Sequence, residues 1–297
     1  MSTDTEPAYG IAPPGHRLPA ATRLGQVRLA VANLARSLEW YERVLGVGVH
    51  DRTAGVARLG AVGDAPPLIE LQEQPGVRPV PGRGRIGLYH FAILLPDRAA
   101  LARLLAHLAR VGEQPGMADH GVSEALYLND PDGLGIEVYA DRPRSEWRIM
   151  AGRELYMTTA PLDVRGLLRE GGSDPWTAMP FGTTMGHVHL HVGDLAEASA
   201  FYHESLGFDK VVWSYPGALF LSAGGYHHHL GTNTWAANAE PAGEGDARLL
   251  DWEVILPARS DVDRTTVSLE AGGFSMTREG AGISAADPWG TRVRISA

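Results

Sequence analysis

The chain contains no cysteine. That absence excludes disulfides, iron–sulfur clusters and thiolate zinc sites together, and it fits a reducing compartment. Long apolar runs are missing too: none approaches the roughly 18 residues that a bilayer-spanning helix needs. Residues Met1 to Ala21 are rich in Pro, Ala and Gly and lack the apolar core of a secretory signal. A soluble, cytoplasmic protein with no membrane partner is expected. Basic residues are in short supply, 26 Lys and Arg against 35 Asp and Glu, for a formal net charge of −9. Phosphate backbones need a basic surface, so nucleic acid is not an expected partner. The charge says little about small molecules, and it leaves a homo-oligomer open.

What the chain has is length and repetition. Its 297 residues suffice for two domains, and 44% hydrophobic with 21% charged content is globular. Leu24 to Gly46 reads LGQVRLAVANLARSLEWYERVLG, and Met185 to Gly207 reads MGHVHLHVGDLAEASAFYHESLG. The two align without a gap, 161 residues apart. Each is an alternating strand, a turn and an amphipathic helix ending in Leu-Gly. Weaker copies follow, YHFAILLP against LDWEVILP, each preceding a helix that ends at Gly112 or Gly272. Each copy closes with a turn and a strand, DPDGLGIEVYA and DPWGTRVRISA. Four units therefore start near residues 24, 88, 185 and 249. The expected organisation is a flexible tail over 1–21, a first domain of two units over 22–145, a linker over 146–181 and a second domain of two units over 182–297.

Strand alternation separates a packing face from an inward one. Val188, Leu190 and Val192 are expected to pack under the helix, which turns His187, His189 and His191 inward. Phe91, Ile93 and Leu95 likewise leave His90 and Ala92 inside, and Ile136 and Val138 leave Glu137 inside. In YHHHLG, packing of Leu230 is expected to turn His227 and His229 inward and His228 outward. Two imidazoles and one carboxylate form the facial triad that holds Fe(II) while leaving positions open for substrate and dioxygen.

The stretches YHFAILLPDR, DHGVSEALYLNDPDGLGIEVYADRPR, GHVHLHVGDL and SAGGYHHHLGTNTW resemble the bacterial two-domain catechol 2,3-dioxygenases. These belong to the vicinal-oxygen-chelate (glyoxalase, bleomycin resistance, extradiol dioxygenase) superfamily, and the resemblance covers nearly the whole chain from Leu24. It implies an α+β fold of four βαβββ modules forming two open-barrel domains. It also implies an extradiol dioxygenase that opens a small aromatic diol with O2 to a muconic semialdehyde. The metal ligands it implies are His90, Glu137 and His187, with His90 and Glu137 47 residues apart in one unit. The implied cofactor is Fe(II), although Mn(II) and other divalent metals accept the same ligands. His229 matches the further His beside the metal, expected to deprotonate substrate and to stabilise bound oxygen. Tyr127 is expected to hydrogen-bond a substrate oxygen with His120 close by, and Trp235 and Phe181 are candidate pocket walls.

This ligand set needs the second unit to face the third. If neighbouring units pair instead, Gln26, Glu70, His90 and Glu137 resemble the set of glyoxalase I, an isomerase of a glutathione hemithioacetal using zinc or nickel. The second half would then offer His187, His229 and Asp251. A metal-free binding module of the same superfamily is the third alternative, disfavoured by an inward His/His/Glu set.

Overall fold

A computed structural model describes residues 9–63 and 65–297. Four units repeat one order of elements. The first comprises β1 (Arg23–Val31), α1 (Leu34–Trp40), β2 (Gly48–Thr53), β3 (Val56–Gly60) and β4 (Ile69–Glu73). The second comprises β5 (Gly87–Leu94), α2 (Arg98–Arg110), β6 (Gly116–Asp119), β7 (Ser123–Asn129) and β8 (Gly135–Asp141). A joining segment carries the short helix α3 (Val164–Glu170). The third unit comprises β9 (Thr184–His191), α4 (Leu195–Ala198), β10 (Asp209–Val212), β11 (Ala218–Ser222) and β12 (Leu230–Asn233). The fourth comprises β13 (Arg248–Ile255), α5 (Arg259–Ala271), β14 (Met276–Glu279), β15 (Gly282–Ala286) and β16 (Arg292–Ser296). No described helix is long and apolar enough to cross a membrane.

Local chemistry sets the helix ends. Asn33, Asp97 and Asp194 stand before α1, α2 and α4 and accept backbone N–H groups of the first turn, at Arg36, Ala100 and Ala196 respectively. Both α1 and α4 run on into wider turns, Tyr41–Leu45 and Ser199–Ser205. Gly46 ends the first at a φ of 70°, where a side chain would be strained.

The strands form two eight-stranded sheets. One has the order β14-β15-β16-β13-β1-β4-β3-β2, the other β10-β11-β12-β9-β5-β8-β7-β6. Within a unit the first and last strands run parallel, as β5 does with β8. Between units the two first strands meet antiparallel, β1 with β13 and β5 with β9. Each sheet thus takes one unit from each half of the chain, and the second unit faces the third. The boundaries 22–145 and 182–297 mark the sequence halves, not the sheets.

The packing faces are those that alternation indicates. Phe91, Ile93, Leu95, Ile136, Val138, Val188, Leu190 and Val192 join one buried apolar cluster with helix residues such as Leu101, Leu104 and Phe201. Of the expected tail over 1–21, residues 1–8 lie outside the described residues. The rest is laid along the third unit. Tyr9 Oη donates to the Gly225 carbonyl at 2.9 Å, Ile11 bridges to Lys210, and the N–H of buried Leu18 donates to the Gly207 carbonyl. The expected linker is also packed, burying Leu155, Leu167, Trp176 and Met179.

One buried tie recurs between the units of each half. Tyr202, at the end of the third unit's helix, donates its hydroxyl to Asp287 Oδ2 in the fourth unit's closing turn at 2.9 Å. Tyr41 stands in the same relation to Asp130 Oδ2 at 3.3 Å. All four residues are buried. Tyr202→Phe keeps the ring and deletes the donor, so it is expected to cost about 1–3 kcal/mol. A lowered thermal-unfolding midpoint reads that loss, and Tyr41→Phe, with the longer bond, should lose less.

Candidate metal centre

Three neighbouring strands build the centre. In register, Glu137 on β8 lies beside Ala92 on β5, and Ala92 lies beside His187 on β9. His90 is two residues along β5 from Ala92 and so shares its face. Ala92 brings only a methyl group between them, too small to keep the carboxylate and the two imidazoles apart. Glycine sets how closely the strands approach: a Cβ on Gly135 would fall 2.0 Å from the Tyr89 carbonyl oxygen.

His90 Nε2 and His187 Nε2 lie 3.0 and 3.2 Å from the same oxygen, Glu137 Oε2. The three ligand atoms all fall within 4.8 Å of one another, and among the described residues no other group of three His, Asp or Glu side chains meets that condition. Two atoms each roughly 2.1 Å from a shared ion at a right angle stand about 3 Å apart. His90 Nε2 is buried, and its 3.0 Å approach to Glu137 Oε2 lacks hydrogen-bond geometry. An orphaned nitrogen of this kind, in a set of two imidazoles and a carboxylate, fits a divalent cation.

Burial would raise the Glu137 carboxyl, but the two imidazoles, His187 foremost, more than offset it and hold the group well below the usual carboxylate range. Burial lowers His187 to about 4 against the opposing pull of Glu137. A carboxylate beside a neutral imidazole is the protonation state that ligates a metal.

Further groups border the centre. Tyr127 pairs with Glu137 across β7 and β8, and its hydroxyl is 2.6 Å from His120 Nε2. His120 Nδ1 is 2.6 Å from the Thr158 carbonyl, in the joining segment. Burial, then the charge of Glu137, pushes the Tyr127 phenol well above its usual range. His189 receives the Asn233 amide at Nε2 (3.0 Å), and His191 meets the other end of that amide (2.7 Å). His90, Glu137, His187, His120, Tyr127 and His189 face a cavity of about 430 Å³ whose apolar wall includes Met117, Met157, Tyr215, Phe220 and Trp235, while His191 and Asn233 stand behind it.

The structure brings His90, Glu137, His187, His120 and Tyr127 around one cavity, and Trp235 lines it too. His229 is not among them. Its ring lies against Phe208, with Nδ1 3.2 Å from Ser222 Oγ, and it lines a separate cavity of about 790 Å³ together with Phe181. His228 takes the place expected of His229, its ring centroid 4.0 Å from that of His187. The reason is local. β12 begins only at Leu230, and the three histidines lie in the turn before it, where alternation does not hold.

The alternative ligand sets are taken apart. Gln26 and Glu70 lie on β1 and β4 of the other sheet, and Glu70 is bound by Arg58 and Gln72. Asp251, on β13, is held by Arg28 and Arg294.

Comparison with known proteins identifies the family. The family model described as Glyoxalase/Bleomycin resistance protein/Dioxygenase superfamily matches residues 23–138 and 184–295. The chain belongs to that superfamily. Within it, the catechol-2,3-dioxygenase of Bacillus subtilis (strain 168) is 46% identical over 270 residues, spanning 90% of this chain and 94% of its own length. A solved structure from Bacillus subtilis subsp. subtilis str. 168 superposes with a TM-score of 0.65 at 13% identity, covering 95% of this chain and 86% of that one. Glyoxalase I from Zea mays superposes with a TM-score of 0.54 at 18% identity, covering 93% and 92%. At such identities the two structures speak to the superfamily fold alone.

Buried imidazoles give metal-free protein a pH signature. Burial lowers His187 to about 4 and His229 to about 3, and it lowers His189 and His228 as well. Below about pH 6.5 the unfolded chain takes up protons that these folded imidazoles refuse, so stability complete above that pH drains away as pH falls. Each imidazole contributes up to about 1.4 kcal/mol per pH unit in its window. Asp130, raised by burial to about 7, and Asp287, raised likewise, oppose the trend. Burial lowers His16, His191 and His203 too, so seven groups outweigh two, and urea titration should give a lower unfolding free energy at pH 5 than at pH 7. Gly135→Ala is expected to separate β8 from β5, lowering both the melting temperature and the bound-metal stoichiometry.

Proposed function

We propose that the chain is an extradiol ring-cleaving dioxygenase of the catechol 2,3-dioxygenase kind, with iron(II) held by His90 Nε2, His187 Nε2 and Glu137 Oε2. The observation that carries the reading is the convergence of these three side chains on one buried point of an otherwise largely apolar cavity. The 46% identity to a protein named catechol-2,3-dioxygenase supports it. When bound, the metal supplies Lewis acidity and a template that holds diol and dioxygen side by side.

The surrounding residues position and deprotonate the diol. The Thr158 carbonyl can only accept, so it takes the N–H of His120 Nδ1 and leaves Nε2 as a lone pair. Tyr127 then donates its hydroxyl to that lone pair, and its oxygen is placed to accept from a substrate hydroxyl. His228, rather than His229, is the imidazole placed to take a phenolic proton. Among the described residues lining the cavity there is no lysine or arginine. A carboxylated diol would bring its charge beside Glu137 without a fixed counter-ion, so the reading favours an uncharged one.

The test begins with protein purified without air and loaded with Fe(II). Catechol should give a yellow muconic semialdehyde and consume one O2 per ring opened. Ring opening that proceeds without iron, or no O2 uptake by iron-loaded protein, sinks the proposal. His187→Ala should weaken Fe(II) binding by about 100-fold or more. Tyr127→Phe should keep the metal and lower kcat by about tenfold or more.

A further inference from the structure

The imidazole of His228 is one end of a chain of hydrogen bonds that leaves the cavity. Its Nδ1 lies 2.7 Å from His227 Nδ1. His227 Nε2 lies 2.9 Å from Asp141 Oδ1, at the end of β8. The same carboxylate oxygen accepts the Tyr226 hydroxyl at 3.1 Å, and Tyr226 in turn meets the Tyr139 hydroxyl at 2.7 Å. His227 and His228 are both buried.

A hydrogen bond between two nitrogens of the same kind needs a direction, and the chain supplies one. An ionised carboxylate only accepts, so His227 presents N–H at Nε2 to Asp141. A neutral ring has a single N–H, which leaves His227 Nδ1 as a lone pair. His228 must then donate from Nδ1, and its Nε2 becomes the unprotonated nitrogen. We propose that Asp141 and His227 are positioning residues that hold His228 in the Nδ1–H tautomer, so that its lone pair at Nε2 serves the cavity. The inference rests on the dioxygenase reading for its kinetic consequence and stands apart from it for its tautomer. His228 carries the acceptor, and the two residues behind it set which nitrogen that is.

The first test does not need turnover. Protein labelled with ¹⁵N-histidine is examined by long-range proton–nitrogen NMR at neutral pH, with His228 assigned by its loss in His228→Gln. The expected spectrum shows protonated Nδ1 and bare Nε2. A His228 protonated at Nε2 overturns the proposal whether or not the protein opens catechol.

The second test uses iron-loaded enzyme. His227→Phe keeps a ring but removes the acceptor, and is expected to lower kcat about tenfold or more while KM for catechol changes less than about threefold. His227→Asn places an amide oxygen where Nδ1 was, and should recover most of that kcat. Equal kcat in wild type and His227→Phe, or no recovery in His227→Asn when both variants bind iron fully, contradicts the proposal. If the wild type opens no diol at all, the dioxygenase reading fails and the NMR result still decides the tautomer.

Discussion

The antiparallel pairing of β5 with β9 is the contact on which the centre depends. It sets His187 beside Ala92, and the parallel pairing of β5 with β8 sets Glu137 on the other flank. Neither strand pair alone supplies two imidazoles and a carboxylate. The order β9-β5-β8 does so because side chains repeat every second residue and all three strands turn the same face to the cavity. The ligands thus stand on hydrogen-bonded backbone whose other face is fixed in the apolar core, which is the rigidity a metal site requires.

The second sheet shows what the same scaffold becomes without the ligands. Arg28 and Asp251 are cross-strand partners on β1 and β13, at the places that His189 and His90 hold on β9 and β5. Glu253 stands where Ala92 would be, Arg294 where Glu137 would be, and Gln26 where His187 would be. Asp251 is gripped by both guanidinium groups, and Arg294 also reaches toward Glu253. A fixed side-chain cation there takes the electrostatic part that a bound cation would play in the first sheet. Arginine stays protonated and cannot ligate, so one pair of units keeps a site able to bind metal while the other is closed by ion pairs.

Much of this was legible in the sequence, for a definable reason. The repeat gives the units, and alternation gives the inward faces of β5, β8 and β9, because His90, Ala92, Glu137 and His187 all lie within strands, even though β5 shifts register against β9 on either side of His90 and Ala92. Alternation failed at His227 to His229 because it is a property of strands, and the backbone there is turning before β12 begins. Which unit faces which could not be read from periodicity, since pairing between first strands joins positions as distant as His90 and His189, or Arg28 and Asp251, and leaves no local pattern. Ala92 was in view as an inward alanine, but its part in the site depends on knowing that Glu137 and His187 flank it.

Beyond the shared apolar core, two kinds of polar contact with different physics bind the four units to one another. Sheet pairing joins the second to the third and the first to the fourth through backbone hydrogen bonds. The Tyr41–Asp130 and Tyr202–Asp287 bonds join the first to the second and the third to the fourth through buried side chains. Each aspartate also gathers backbone N–H groups of its own turn, those of Asp132 and Leu134 in one case and Trp289 and Thr291 in the other. A turn held in that way fixes where the following strand starts, and in the second unit that strand is β8, which carries Glu137. The tyrosine tie therefore bears on the metal centre through the placing of a strand, although it touches no ligand.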